Sequence, residues 1–184
     1  NGKFFQKKNT FFDFIDCADF LKQEGITSTE KLTITGGSAG GLLMGAVLNL
    51  RPDLCQACVA RVPFVDVVNT MMDANLPLTV IEYEEWGNPN EEKVFEYMLS
   101  YSPYENVRAV VYPNLMVTAG LNDPRVGYWE PAKWVSQIRD KSIGDNMLFF
   151  RIHMGAGHSG ASGWYGYIED TAWMFAFVLD QITS

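Results

Sequence analysis

The chain has 184 residues, 47% of them hydrophobic and 20% charged, the balance of one compact globular domain and not of a disordered or fibrous segment. Its longest uninterrupted apolar stretches, such as Ala172–Leu179, fall far short of the roughly 18 to 20 residues a membrane-spanning helix needs. Twenty-two acidic against fourteen basic side chains give a net charge of −8, and no basic run is longer than Lys7-Lys8, which argues against an electrostatic grip on nucleic acid or an anionic membrane.

In chain order, Thr10–Glu24 carries Phe11, Phe14, Ile15, Ala18 and Leu21 on an approximately helical repeat, with Gly25 as its stop. Lys31–Thr35 is a short β-rich run. It leads into Gly36-Gly37-Ser38-Ala39-Gly40-Gly41, after which Leu42, Leu43, Met44, Ala46, Val47 and Leu48 resume a helical pattern up to Arg51-Pro52. Ala57–Val67 is a second strand candidate, interrupted by Pro63. The segment Asn69–Val107 is a long excursion dense in Asp, Glu, Asn and Pro, helical near Glu91–Leu99; insertions at strand ends are where binding sites concentrate. Asn114–Ala119 is a third strand, Trp129–Asp140 an amphipathic helix, Asn146–Ile152 a fourth strand and Trp164–Ile182 a closing helix. Short apolar strands alternating with helices predict an α/β fold, a mostly parallel sheet with helices on both faces.

The cysteines, Cys17, Cys55 and Cys58, are too few and odd in number for a disulfide framework, and no Asn-x-Ser/Thr sequon occurs. A reducing compartment, the cytoplasm, fits best. Cys55 and Cys58 have redox or zinc spacing, but no second pair completes a metal site, so they are expected to be small core residues; no metal or cofactor is called for. The chain begins at Asn1 with no targeting segment before the patterned sequence, as expected of a piece of something longer.

Gly36-Gly37-Ser38-Ala39-Gly40 matches Gly-x-Ser-x-Gly in the context its chemistry demands, a strand before and a helix after. A serine on such a turn stands clear of the backbone, and the helix N-terminus offers the Ala39 N–H to a developing oxyanion. Serine is a poor nucleophile at neutral pH, so an orienting acid and then a histidine base should follow it in the chain. Of the two histidines, His153 ends the fourth strand pattern, whereas His158 sits in the loop just past it and is the expected base. Asp123, immediately after the third strand, is the expected acid; Asp145 competes but precedes a strand, at the wrong edge of the sheet. Gly155-Ala156-Gly157-His158-Ser159-Gly160 also fits the dinucleotide fingerprint, but too little chain follows to complete a βαβ unit.

Together the turn Gly36–Gly41, the run Ala119-Gly120-Leu121-Asn122-Asp123-Pro124-Arg125-Val126 and the loop Gly155–Gly160 resemble the prolyl oligopeptidase family of serine peptidases. Within it, Glu82-Tyr83-Glu84-Glu85-Trp86-Gly87-Asn88-Pro89-Asn90 and Tyr128-Trp129-Glu130-Pro131-Ala132-Lys133-Trp134 are similar to the branch that cleaves after basic residues. The resemblance covers essentially all of 1–184. It implies the C-terminal half of an α/β-hydrolase catalytic domain, truncated here, whose upstream sheet half, β-propeller and second oxyanion donor lie outside the chain. It implies Ser38, Asp123 and His158 as the triad, Arg125 as the side chain that holds the substrate backbone, and Glu82 and Glu84, in the run Glu82–Glu85, as the carboxylates that recognise Arg or Lys. The substrates it implies are short basic peptides, and the removal of the upstream half would expose the edge of Leu32-Thr33-Ile34. An esterase or prolyl-type enzyme on the same fold, or an inactive segment serving only as a binding or structural module, are the alternatives.

Overall fold

The computed structural model describes residues 1–160 and 164–183. A turn of 3-10 helix at Phe4–Gln6 leads into α1 (Lys8–Gln23), whose buried Phe11, Ile15 and Ala18 lie on one face. Strand β1 (Thr33–Gly37) is followed by α2 (Ala39–Leu50), which is buried over most of its circumference, as its nearly continuous apolar sequence requires.

Strand β2 spans only Ala57–Arg61 instead of running to Val67. Val62 turns the chain at φ 40° and Pro63 has no N–H to extend a ladder, so pairing stops there. Val67 instead opens α3 (Val67–Met72). The excursion before the third strand holds two more helices, α4 (Tyr83–Trp86) and α5 (Glu92–Leu99), then β3 (Asn114–Gly120), α6 (Trp129–Lys141), β4 (Leu148–His153) and α7 (Trp164–Thr183) follow.

The four strands are parallel in the order β1-β2-β3-β4, which leaves β1 on an edge. Side-chain alternation divides the sheet between two cores. Cys58, Ala60, Leu115 and Val117 join the larger cluster with residues of α1, α2, α3, α5 and α6, while Ala57, Val59 and Met116 pack under Phe177 of α7. The register pairs Gly37 with Arg61, Arg61 with Thr118 and Gly120 with His153, so the C-terminal ends of all four strands, and the loops that leave them, share one rim. Cys55 and Cys58 lie in the core, where burial pushes the Cys55 thiol up to about 12 and Cys58 well above its ordinary value, far from a reactive thiolate. Among the described residues no helix is long and apolar enough to cross a membrane.

Candidate active site

Ser38 bridges β1 and α2 at φ 55°, a backbone conformation that a side chain other than glycine's adopts only under constraint from its surroundings. The constraints are visible. Its N–H donates to the Arg61 carbonyl at 3.0 Å, and its own carbonyl accepts from Gly41 (2.8 Å), Leu42 (3.2 Å) and Phe64 (3.1 Å). A β-carbon at Gly36 would lie 2.2 Å from the Gly40 carbonyl oxygen, so the turn closes only over a glycine there. Ala39 is the first residue of α2, and its N–H is one of the helix-end donors that have no intrahelical acceptor.

The loops after β3 and β4 are stitched to each other. Leu121 N–H donates to the His153 carbonyl and Asn122 N–H to the Ala156 carbonyl, both at 3.0 Å, and a β-carbon at Gly120 would sit 2.4 Å from the Gly157 oxygen. This close approach brings Asp123 to His158. The imidazole Nδ1 lies 2.8 Å from Asp123 Oδ2, with the carboxylate fully buried. The other carboxylate oxygen, Oδ1, accepts the Arg125 and Val126 backbone N–H groups at 2.8 and 3.0 Å. Since an ionised carboxylate can only accept, Nδ1 carries the proton and Nε2 is left as the acceptor. Ser38 and His158 line one cavity together with Gly37, Thr118 and Ser159. His153 closes β4 and pairs instead with Asp170, Nε2 to Oδ1 at 3.3 Å.

Ser38 and Ala39 also border a second cavity of about 320 Å³, whose wall includes Phe64, Thr70, Met71, Glu82, Glu85, Trp86 and Arg125. Glu82 Oε2 accepts the Trp86 indole N–H at 2.7 Å. Glu85 is held by Lys7 at 2.9 Å, and that ammonium stands 4.3 Å from the centre of the Trp86 ring. Glu84 is solvent-exposed on α4 and is not part of the cavity wall. Arg125 is exposed and borders the cavity beside Ser38. The structure thus gathers Ser38, Ala39, Asp123, His158, Arg125 and Glu82 at one rim and leaves Glu84 just outside it.

Three groups near the site carry no local sequence signal. Lys7 meets Glu85 only through tertiary folding. Asp66, its side chain 2% exposed, pairs with Lys133. Glu130, in the first turn of α6, is buried, and loss of hydration pushes its carboxyl up to about 7 against the opposing pull of its hydrogen-bond donors.

The parallel sheet with helices and the serine turn between β1 and α2 are those of the α/β-hydrolase fold. The sequence matches the Prolyl oligopeptidase family over residues 1–184, and the chain belongs to that family. It is 50% identical over 182 residues to Dipeptidyl aminopeptidase BI of Pseudoxanthomonas mexicana, covering 99% of this chain and 25% of that protein. It is 49% identical over 182 residues to Protease 2 of Moraxella lacunata, again covering 99% of this chain and 26% of that protein. Among solved structures, oligopeptidase B from Leishmania major superposes with a TM-score of 0.96 at 53% identity, over 98% of this chain and 25% of that one. Oligopeptidase B from Trypanosoma brucei, with covalently bound antipain, superposes with a TM-score of 0.97 at 53% identity, over 99% of this chain and 26% of that one. The chain therefore spans about a quarter of the length of the relatives it matches.

Proposed function

We propose that 1–184 is the C-terminal portion of the catalytic α/β-hydrolase domain of a serine oligopeptidase, which cleaves short peptides after Arg or Lys through an acyl-enzyme. In this proposal the upstream half of the sheet and a β-propeller belong to the same parent protein. The observation that carries it is the convergence of a positive-φ Ser38 with a His158–Asp123 pair at one sheet rim.

Asp123 fixes the tautomer of His158, whose Nε2 takes the Ser38 hydroxyl proton as Oγ bonds to the scissile carbonyl carbon. The carbonyl oxygen gains the negative charge and accepts the Ala39 N–H. Collapse breaks the C–N bond, His158 returns its proton to the departing amine, and a water molecule activated by the same histidine then releases the acid and restores Ser38. Arg125 borders the cavity where it can donate to substrate carbonyls. Glu82 at the cavity wall, with Glu84 two residues further along the single turn of α4 and outside that wall, supplies the carboxylate preference for a cationic side chain; among the described residues no cation is paired with Glu82, whereas Glu85 is paired with Lys7. Three free cysteines, two of them buried, suit a cytoplasmic setting.

A fluorophosphonate probe applied to the full-length parent tests the chemistry. A single labelled site at Ser38, abolished in Ser38→Ala, is expected, together with turnover of arginyl peptides in preference to acyl esters. Labelling that survives Ser38→Ala refutes the nucleophile.

A further inference from the structure

The backbone that follows β2 cannot satisfy itself. With Pro63 ending the strand, the N–H groups at 64–66 are left without ladder partners in a buried segment, where each unpaired donor is destabilising. Phe64 gives its N–H to the Ser38 carbonyl. The next two go to a side chain of α6: Glu130 Oε2 accepts Val65 N–H at 3.2 Å and Asp66 N–H at 3.0 Å. Glu130 Oε1 accepts the Thr70 hydroxyl at 2.7 Å. One carboxylate, itself 1% exposed, therefore clasps the start of α3 and the loop before it. The same helix supplies Lys133 to Asp66.

We infer that Glu130 is a positioning residue for the nucleophile: it holds the segment 63–70 against the Ser38 turn and so keeps that turn in its strained geometry. The same segment presents Phe64 and Thr70 to the cavity beside Ser38. Glu130 also lies on the helix that follows the acid loop, whose Val126 N–H binds Asp123, so a single element ties the acid to the nucleophile. A hydrocarbon side chain could fill the same volume but would leave two backbone donors and a hydroxyl unpaired. The inference rests on the serine-hydrolase chemistry proposed above.

The test measures the second-order rate of fluorophosphonate labelling at Ser38 in the full-length parent, per folded molecule. Glu130→Gln keeps a carbonyl for the two backbone donors and can turn its amide toward the Thr70 hydroxyl, so labelling within about threefold of the parent is expected. Glu130→Asp withdraws the carboxylate by one methylene, and Glu130→Ala removes it. A misplacement on the order of 1 Å can lower a rate by roughly 10²-fold, so a loss of at least about tenfold is expected for each. If Glu130→Ala does not fold, Glu130→Asp decides. Parental labelling in a folded Glu130→Asp overturns the positioning role, as does an equal tenfold loss in Glu130→Gln, which would make the charge rather than the clasp the cause. A parent that takes up no probe at Ser38 overturns the hydrolase chemistry itself, an outcome distinct from either.

Discussion

Asp123→Asn is the sharpest perturbation of the proposed triad, because the surrounding hydrogen bonds dictate how the amide must lie. Asp123 Oδ1 accepts two backbone N–H groups, from Arg125 and Val126, while Oδ2 faces His158 Nδ1 at 2.8 Å. In asparagine the carbonyl must take the Oδ1 position. The reverse orientation would set an NH₂ against two N–H donors, the Arg125 one exposed and the Val126 one partly buried, so the penalty lies toward the low end of the roughly 1–3 kcal/mol that a buried unsatisfied group costs. The amide nitrogen is thereby aimed at Nδ1 and donates to it. The imidazole answers by moving its proton to Nε2, the atom that must accept from Ser38.

Loss of the general base by this tautomer exchange is expected to lower kcat by about 10⁴-fold, while KM changes little because Asp123 is not part of the wall of the second cavity. The assay is kcat and KM on an arginyl peptide in the full-length protein, with Ser38 labelling rates alongside and circular dichroism to show that the fold is kept. A folded Asp123→Asn with labelling within tenfold of the parent would refute tautomer control by Asp123.

Two further substitutions separate the pocket from the chemistry. Glu82→Gln should lower kcat/KM for arginyl substrates at least about tenfold, the low end of a truncated charge contact since the site is only partly buried, and Glu84→Gln should cost less; Ser38 labelling should stay near parental in both. Equal losses from the two, or none from Glu82→Gln, would show that the cavity carboxylate does not read the cation. Gly120→Ala places a β-carbon 2.4 Å from the Gly157 oxygen and must push the His158 loop off Asp123, so turnover should fall by on the order of 10²-fold with a lowered melting temperature. Parental turnover in that variant would mean that the two loops are not held by their close approach.

What was legible in the sequence follows from how local the responsible physics is. The Ser38 turn is set by sterics within a few residues, and the glycines that permit it are adjacent in the chain. Asp123 and His158 could be placed because a parallel sheet gathers strand-end loops on one rim, so position after a strand is already a spatial statement. The two short helices α3 and α4, of 6 and 4 residues, span too few turns for a 3.6-residue repeat to show. Lys7 and Glu130 were hidden for another reason. Each is an ordinary charged residue beside a helix start, and its partner lies 78 or about 65 positions away, where only the completed tertiary fold brings them together.

These supports act on different parts of the site. The atoms of the proposed triad are held by strand ends and by hydrogen bonds between adjacent loops. The cavity beside Ser38 is walled instead by α3, α4 and the loop after β2, which have no strand pairing and depend on side chains: Glu130 for the loop and α3, Lys7 for Glu85, the Trp86 indole for Glu82. On the proposed function, substitutions in the cavity wall can thus change which substrate is held without touching the proposed proton relay. The Phe64 N–H to Ser38 carbonyl bond is the exception, since it joins the wall to the backbone of the proposed nucleophile. A change at Glu130 should therefore appear in chemistry and binding together, whereas a change at Glu82 should appear in binding alone.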